Sequence, residues 1–362
     1  DGVTLQAGRD LVLPQQVLVS GTLLTEADGR VALAAGTQWQ SAGNVTIRAG
    51  QDMALGGAVL TDAALSLISG GDLVQGAAGR LQGKQVQASA GRDLALGGAW
   101  VSAADAQARA KRDVRVDGKL SAGGSLDLDA GRHLRVGADG QADASGQARM
   151  HAAGDLSLAG LAQSNAGLIL SSGRDLQVDG GALADGGAVS MTAGQALTLG
   201  AASRVQGWDL IARAGSDVDA RGEMGARGDI GLLSGRDLRL SGKSAASGNL
   251  GLQARRDLFT DANGLWEANG GATIAAGHDA AWAGALRANR GIALDAARRL
   301  SVDGLVTTAE GGLLSAAGDA LSIGVTGRLV SRDRMGVTAG ADLVIDGELS
   351  SLDELSVQAA RD

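Results

Sequence analysis

The 362-residue chain lacks cysteine and tyrosine, and it contains only one phenylalanine, one proline and five tryptophans. The absence of cysteine excludes disulfide scaffolds, thiolate metal sites and cysteine nucleophiles. Because aromatic residues make up only 2% of the chain, large rings cannot supply most of a hydrophobic core. Hydrophobic residues still reach 44%, which excludes disorder through low hydrophobicity and leaves a core of leucine, valine and alanine.

The chain also lacks an excess of positive charge and any long apolar run. Its net charge is −8, which argues against nucleic acid as a partner, because phosphate binding needs an excess of lysine and arginine. No apolar stretch approaches about 18 residues, and the first residues do not resemble a signal peptide. The 59 glycines follow no every-third-residue pattern, which excludes collagen. We therefore expect no nucleic-acid partner and no membrane insertion.

A short motif, alanine or serine followed by Gly-Arg-Asp-Leu, recurs along the whole chain. It is clearest at Ala7, Ala90, Ser172 and Ser234, and its acidic position recurs from Asp10 to Asp362, with histidine at position 133. The average spacing is about 20.7 residues, which is typical of solenoid proteins.

Each repeat divides into three short strand-like pieces. In the segment 113–131, three pairs of apolar residues each have one polar residue between them. The pairs are Val114 and Val116, Leu120 and Ala122, and Leu126 and Leu128. Period-two alternation with glycine and aspartate between the pieces is typical of strands. The sequence therefore predicts an all-β, right-handed parallel β-helix with three strands per coil and about 17 coils of about 20–21 residues.

The recurring aspartate needs its own explanation. We expect its side chain to accept hydrogen bonds from backbone amides at a corner between coils, and the preceding arginine to offset the repulsion between stacked carboxylates. Metal binding is the alternative, although the calcium-binding nonapeptide pattern is absent and the three histidines have no ligand spacing. We predict no metal and no cofactor.

The repeated Ala-Gly-Arg-Asp-Leu, Gly-x-Leu-x-Ala and Gly-Gly-x-Leu-x-Leu blocks resemble the filamentous haemagglutinin family of secreted bacterial adhesins. The resemblance covers essentially the whole chain and implies one β-helical segment over 1–362, cut from a longer fibre. It implies a secreted or cell-surface protein, exported through an outer-membrane secretion pore, that attaches bacteria to host cells or to other bacteria. Contact-dependent growth-inhibition exoproteins have similar stalks, so a passive structural stalk is the alternative.

The sharpest candidate for a receptor contact is Arg227-Gly228-Asp229, because this tripeptide is the recognition sequence of integrins in many adhesive proteins. Composition alone is expected to produce about 0.4 copies by chance. Alignment of the repeats places the tripeptide in the turn before the third strand, where side chains face water. One repeat earlier, Trp208 aligns over Gly228 and is a second candidate contact, or else a turn residue packed on neighbouring side-chain stems.

The other aromatic residues divide into two groups by their phase in the strands. We expect core positions for Trp100 and Trp282, and exposed positions for Phe259 and Trp266.

Basic residues cluster in one short part of the chain. Stacking of the repeats would form a cationic ladder, a candidate site for sulfated glycans, from Arg112, Arg115, Lys119, Arg132 and Arg135. The alternative is a solvated face of mixed charge, because several aspartates lie in the same region.

An enzyme is the least favoured function. Polysaccharide-cleaving β-helices need paired carboxylates or a bound metal in a cleft walled by long loops. The repeats vary only from about 20 to 23 residues, which leaves no loop for such walls. The sequence therefore predicts a structural and adhesive protein without catalytic residues.

Overall fold

The computed structural model describes residues 2–12 and 16–361, and within this part every regular element is a β-strand. None of the described residues forms a helix with the length and apolar character needed to cross a membrane. The chain divides into two compact units. The first ends at Arg174 and also includes Gly180–Gly187, and the second consists of Asp175–Asp179 and the chain from Ala188 onward. The expected single segment over 1–362 stays a prediction.

The strands of the first unit are short, and turns or irregular segments separate them. They are β1 (Val3–Ala7), β2 (Leu11–Val12), β3 (Gln16–Val19), β4 (Leu23–Ala27), β5 (Val31–Leu33), β6 (Gln38–Ser41), β7 (Val45–Ala49), β8 (Met53–Leu55), β9 (Ala58–Thr61), β10 (Ala64–Ser69), β11 (Leu73–Gln75), β12 (Arg80–Gly83), β13 (Gln85–Ala90), β14 (Leu94–Leu96), β15 (Ala99–Ser102), β16 (Ala106–Ala110), β17 (Val114–Val116), β18 (Lys119–Ala122), β19 (Leu126–Ala130), β20 (Leu134–Val136), β21 (Gln141–Ala144), β22 (Ala148–Ala152), β23 (Leu156–Leu158), β24 (Leu161–Ser164), β25 (Leu168–Ser172) and, after β26 (Leu176–Val178) of the second unit, β27 (Gly181–Ala184).

The strands of the second unit begin with β26 and are as short as those of the first. Its remaining strands are β28 (Val189–Ala193), β29 (Leu197–Leu199), β30 (Arg204–Gly207), β31 (Leu210–Ala214), β32 (Val218–Ala220), β33 (Glu223–Ala226), β34 (Ile230–Ser234), β35 (Leu238–Leu240), β36 (Lys243–Ala246), β37 (Leu250–Ala254), β38 (Leu258–Thr260), β39 (Leu265–Ala268), β40 (Ala272–Ala276), β41 (Ala280–Trp282), β42 (Ala285–Ala288), β43 (Ile292–Ala296), β44 (Leu300–Val302), β45 (Leu305–Thr308), β46 (Leu313–Ala317), β47 (Leu321–Ile323), β48 (Arg328–Ser331), β49 (Met335–Ala339), β50 (Leu343–Ile345), β51 (Glu348–Ser351) and β52 (Leu355–Ala359).

Every third strand pairs in parallel within each unit, so that each unit has three sheets, which we call A, B and C. In the first unit they begin at β1, β2 and β3, and in the second at β28, β26 and β30. Strand β16, for example, pairs with β19 so that Ala106 lies beside Leu126. The predicted right-handed parallel β-helix with three strands per coil is confirmed. Each unit contains nine A strands among its described residues. Their total of 18 agrees with the predicted number of about 17 coils.

The alternation within the strands builds the core. In β17, β18 and β19, the buried positions are the ones that the sequence pattern indicated. Trp100 and Trp282 are buried and Phe259 is exposed, as expected. The expectation for Trp266 was wrong, because its side chain is fully buried. Strand β39 turns Leu265 outward and Trp266 inward, where the small Ser244 is its neighbour in the preceding coil.

The recurring aspartates occupy the corner between A and B strands and hold neighbouring coils together. The carboxylate Oδ1 accepts a hydrogen bond from the backbone N–H of the equivalent residue one coil later. Oδ1 of Asp93, for example, accepts the N–H of Asp113 at 3.2 Å. At position 133, Nδ1 of the histidine accepts the N–H of Asp155 at 3.2 Å and so replaces the carboxylate. The predicted structural role of this aspartate is confirmed, because buried or partly buried amides need acceptors.

The arginine of the motif pairs with the aspartate of the preceding coil. Nε of Arg132 donates to Oδ1 of Asp113 at 2.8 Å, and Nε of Arg256 donates to Oδ1 of Asp237 at 2.7 Å. These hydrogen bonds lower the pKa of the Asp113 and Asp237 carboxyl groups. The arginines therefore favour the ionised aspartates, as the sequence predicted.

Candidate functional site

The Arg-Gly-Asp tripeptide lies in the corner between a C strand and an A strand of the second unit. It connects β33 to β34, and both Arg227 and Asp229 are exposed whereas Gly228 is half-buried. This is the turn and the exposure that the repeat alignment predicted. The corner therefore presents a cation and a carboxylate on the two sides of a glycine.

The carboxylate of Asp229 also contributes to the stacking of coils. Its Oδ1 accepts hydrogen bonds from the backbone N–H of Asn249 at 2.6 Å and from Nδ2 of the same residue at 3.2 Å. The N–H of Asp229 donates to Oδ1 of Asp209 at 2.9 Å, and Oδ1 of Asn249 accepts the N–H of Gly271 at 3.0 Å. We call Asp209, Asp229 and Asn249 the corner ladder. The tripeptide is thus braced by the coils on both sides.

The ladder leaves little room for a side chain at the glycine of the tripeptide. A Cβ atom at Gly228 would lie 2.2 Å from Oδ1 of Asp209, which is closer than non-bonded atoms approach. Glycine at this position is therefore explained by packing between coils, whether or not the turn contacts a receptor.

The corner ladder escaped detection in the sequence, although a signal for it was present. Asp209, Asp229 and Asn249 recur at 20-residue spacing immediately before an A strand. The spacing of the repeat therefore indicates that these three residues are neighbours in successive coils.

Trp208 lies one coil before the tripeptide, where the alignment placed it. The N–H of Gly228 donates to the backbone oxygen of Trp208 at 2.6 Å, and the indole side chain is 52% exposed. An exposed tryptophan beside an exposed arginine and carboxylate gives this corner an apolar contact surface as well as charge.

A groove begins beside this corner and crosses the outer face of the A strands in the second unit. Three adjoining clefts of about 350, 450 and 630 Å³ form it; the first two lie over the same coils, and the third extends over later ones. The corner ladder lines the cleft of about 350 Å³, and Arg334 lines the cleft of about 630 Å³. Its floor is an outward row of residues in register, Ile211, Gly231, Gly251, Thr273, Ala293, Leu314, Gly336 and Ser356.

The basic residues of the first unit stack as the sequence indicated, but several of them form ion pairs. Arg115 lies beside Arg135 in neighbouring B strands, and the N–H of Arg132 donates to the backbone oxygen of Arg112 at 2.8 Å. Arg112 and Arg132 each pair with an aspartate of the preceding coil, and Arg115 pairs with Asp117. Arg135 and Lys119 are exposed. The stacked surface therefore combines positive and negative charge.

Comparison with family models, with curated proteins and with solved structures finds no match for this chain.

Proposed function

We propose that this chain is a shaft segment of a secreted or surface-exposed bacterial adhesin, in which stacked coils space and display contact residues. The observation that supports this function best is the regularity of both units, where successive coils pair strand by strand on three sides. Aspartate ladders at the corners add side-chain hydrogen bonds to this pairing. Each coil is stabilised by its neighbours, as a long stalk requires.

Host-cell attachment through the Arg-Gly-Asp corner is the more specific part of the proposal. Its support is the joint exposure of Arg227, Asp229 and Trp208 in two neighbouring turns. An integrin-type receptor would bind the guanidinium in an acidic pocket and the carboxylate through a metal of its own. The resemblance of the repeats to the filamentous haemagglutinin family agrees with this function.

The decisive variant is Asp229→Asn, because asparagine already performs the same ladder role at Asn249. It keeps an oxygen acceptor for the next coil and removes the charge that a receptor-bound metal needs. We expect attachment of integrin-expressing cells to surfaces coated with the chain to fall to background, while the melting temperature stays within about 2 °C.

Asp209→Asn is the matched control, because it makes the same change one coil earlier without an adjacent Arg-Gly. It should leave attachment unchanged. If Asp229→Asn binds cells as well as the wild type, the turn is a structural element and the chain is a passive stalk.

Binding of sulfated glycans is the second candidate function, favoured by the stacked Arg115 and Arg135. The ion pairs of Arg112 and Arg132 reduce the charge available to a sulfate. Retention on immobilised heparin at physiological salt, lost in an Arg115→Ser, Arg135→Ser double variant, would support this function. Elution without retention would exclude it.

A further inference from the structure

The outer face of the A strands in the second unit carries apolar side chains beside the open space of the groove. Leu314 on β46 is 60% exposed, and Ile211 on β31 and Leu233 on β34 are half-buried. Between Ile211 and Leu314, the groove floor consists of Gly231, Gly251, Thr273 and Ala293. Apolar groups that project beside open space are suited to contact with a second surface of matching shape.

The large and small residues of the floor are placed symmetrically about Thr273 on β40. Leu314 lies two strands after β40, and Gly231 lies two strands before it. Ile211 lies three strands before β40, and Gly336 lies three strands after it. Each large apolar residue on one side of Thr273 therefore has a glycine at the same distance on the other side.

The second outward row and the charges of the corner follow the same symmetry. Leu233 lies two strands before β40, and Ala316 lies two strands after it. Asp209 immediately precedes β31 and Arg334 immediately precedes β49, so opposite charges stand three strands before and three strands after β40. Arg334 is exposed and Asp209 is half-buried. Shape and charge are thus self-complementary about one strand.

We propose that this face is a homodimer interface, on which a second copy of the chain packs its own A strands in the opposite direction along the stack of coils. The two-fold axis lies along the strand direction at the level of Thr273. This rotation keeps each outward row opposite itself and reverses the order of the coils. Leu314 of each copy then fits over Gly231 of the other, Ile211 fits over Gly336, and every contact occurs twice.

Charge complementarity favours a second copy as the occupant. Asp209 of each copy faces Arg334 of the other, which gives two ion pairs near the ends of the interface. The other charged residues in the two outward rows and at this corner face uncharged residues of the second copy; they are Arg213, Asp229, Asp295 and Glu354. The antiparallel arrangement therefore brings no like charges of these rows together.

The area of this face is sufficient for a weak dimer. Nine A strands of mostly five residues, about 4.8 Å apart, give a face of about 38 by 17 Å. Two copies would bury about 1,300 Å² in total, which is at the lower end of the range of stable interfaces. We expect a dissociation constant of about 1–50 µM.

The test is the mass of the whole chain in solution, measured by sedimentation equilibrium between about 1 and 200 µM. We expect the average mass to rise with concentration from that of one chain toward that of two. Gly231→Leu fills the space that Leu314 of the second copy occupies, and it should weaken the dimer at least about tenfold. A Cβ atom at Gly231 meets nothing within 4 Å, so this variant should still fold.

A second variant separates a specific interface from a general loss of association. Gly231→Leu combined with Leu314→Ala exchanges the large and the small position, and it should restore most of the dimer. Ser66→Leu is the matched control, because Ser66 is an outward residue of β10 in the first unit, and it should leave the dimer unchanged. The mass of one chain at every concentration, an unchanged dimer in Gly231→Leu, or no recovery in the double variant would each overturn the proposal.

Discussion

The A strands of the two units share the same coil geometry and differ in what they expose. In the first unit, this outward row includes four polar side chains on consecutive A strands, Gln87, Gln107, Asp127 and Arg149. Nε2 of Gln107 donates to Oδ2 of Asp127 at 3.1 Å, so that neighbouring coils are linked across the surface. In the second unit, the same row forms the floor of the groove and includes three glycines, Gly231, Gly251 and Gly336, together with larger residues such as Leu314.

The glycines of the groove floor are not required by the backbone. A Cβ atom at Gly231 would meet nothing within 4 Å, and one at Gly251 would meet only the backbone oxygen of Ile230, at 3.9 Å. Neither residue has a positive φ. Glycine inside a strand weakens it and is typical of places where another molecule approaches the backbone closely. The two units thus keep the same coil with different outward residues, which shows that the inward residues maintain the coil and that the outward residues can vary.

The largest expected effect tests whether the stability of both units depends equally on their buried residues. Leu128→Asp in the first unit and Leu232→Asp in the second each place a carboxylate in a buried A-strand position. We expect each to lower the free energy of unfolding by at least about 4 kcal/mol, because the charge has no partner. Chemical unfolding followed by circular dichroism measures the loss. Leu314→Asp is the control, since Leu314 is 60% exposed, and it should change stability little.

The next effect compares the aspartate ladders. Asp113→Ala and Asp237→Ala each remove the partner of an arginine, and Asp237 is the more buried aspartate, with a side chain only 4% exposed. We expect losses of about 1–3 kcal/mol, larger at Asp237, because this aspartate pairs with two arginines, Arg239 and Arg256, and its shielding from water strengthens both ion pairs. Equal losses at the two positions would show that burial of the aspartate does not determine the strength of the ladder.

Acid should weaken the same ladders. The pKa values of Asp72, Asp113 and Asp237 are lowered in the folded chain by hydrogen bonds from arginine. Their contribution is present above the ordinary aspartate pKa, near 3.8, and is lost as the pH falls through the lower folded value. We expect the free energy of unfolding to fall as the pH drops below about 5, with a shallower slope in Asp113→Ala. An identical slope in that variant would contradict the role of Asp113.

The smallest effect concerns the groove floor itself. Gly231→Thr and Gly251→Thr should each raise the free energy of unfolding by about 0.5–1 kcal/mol, because threonine favours strands and the space above both positions is open. Gly228→Ala should be destabilising, since its Cβ would clash with Asp209. Loss of stability in Gly231→Thr would show that this glycine serves the fold. These changes also narrow the groove and are suitable variants for binding assays.

Most of the fold could be predicted because its information is local and repeated. Val114, Val116, Leu126 and Leu128 alternate within a few residues, and the same pattern recurs in every coil. The turn position of Arg227-Gly228-Asp229 followed from alignment of one repeat on another. The inward position of Trp266 did not follow, because it depends on the phase of β39 and on the small Ser244 in the neighbouring coil.

The amino-acid sequence alone determined the coil, because a repeat near 20 residues, strand alternation and a corner aspartate act identically at each turn of the chain. The tertiary structure decided which side chains became neighbours across coils. Only stacking joined Asp229 to Asn249 and opened a groove above Gly231. These contacts join residues about 20 positions apart, so the spacing of the repeat indicates which positions are neighbours, whereas the packing of their side chains is decided only when the coils stack.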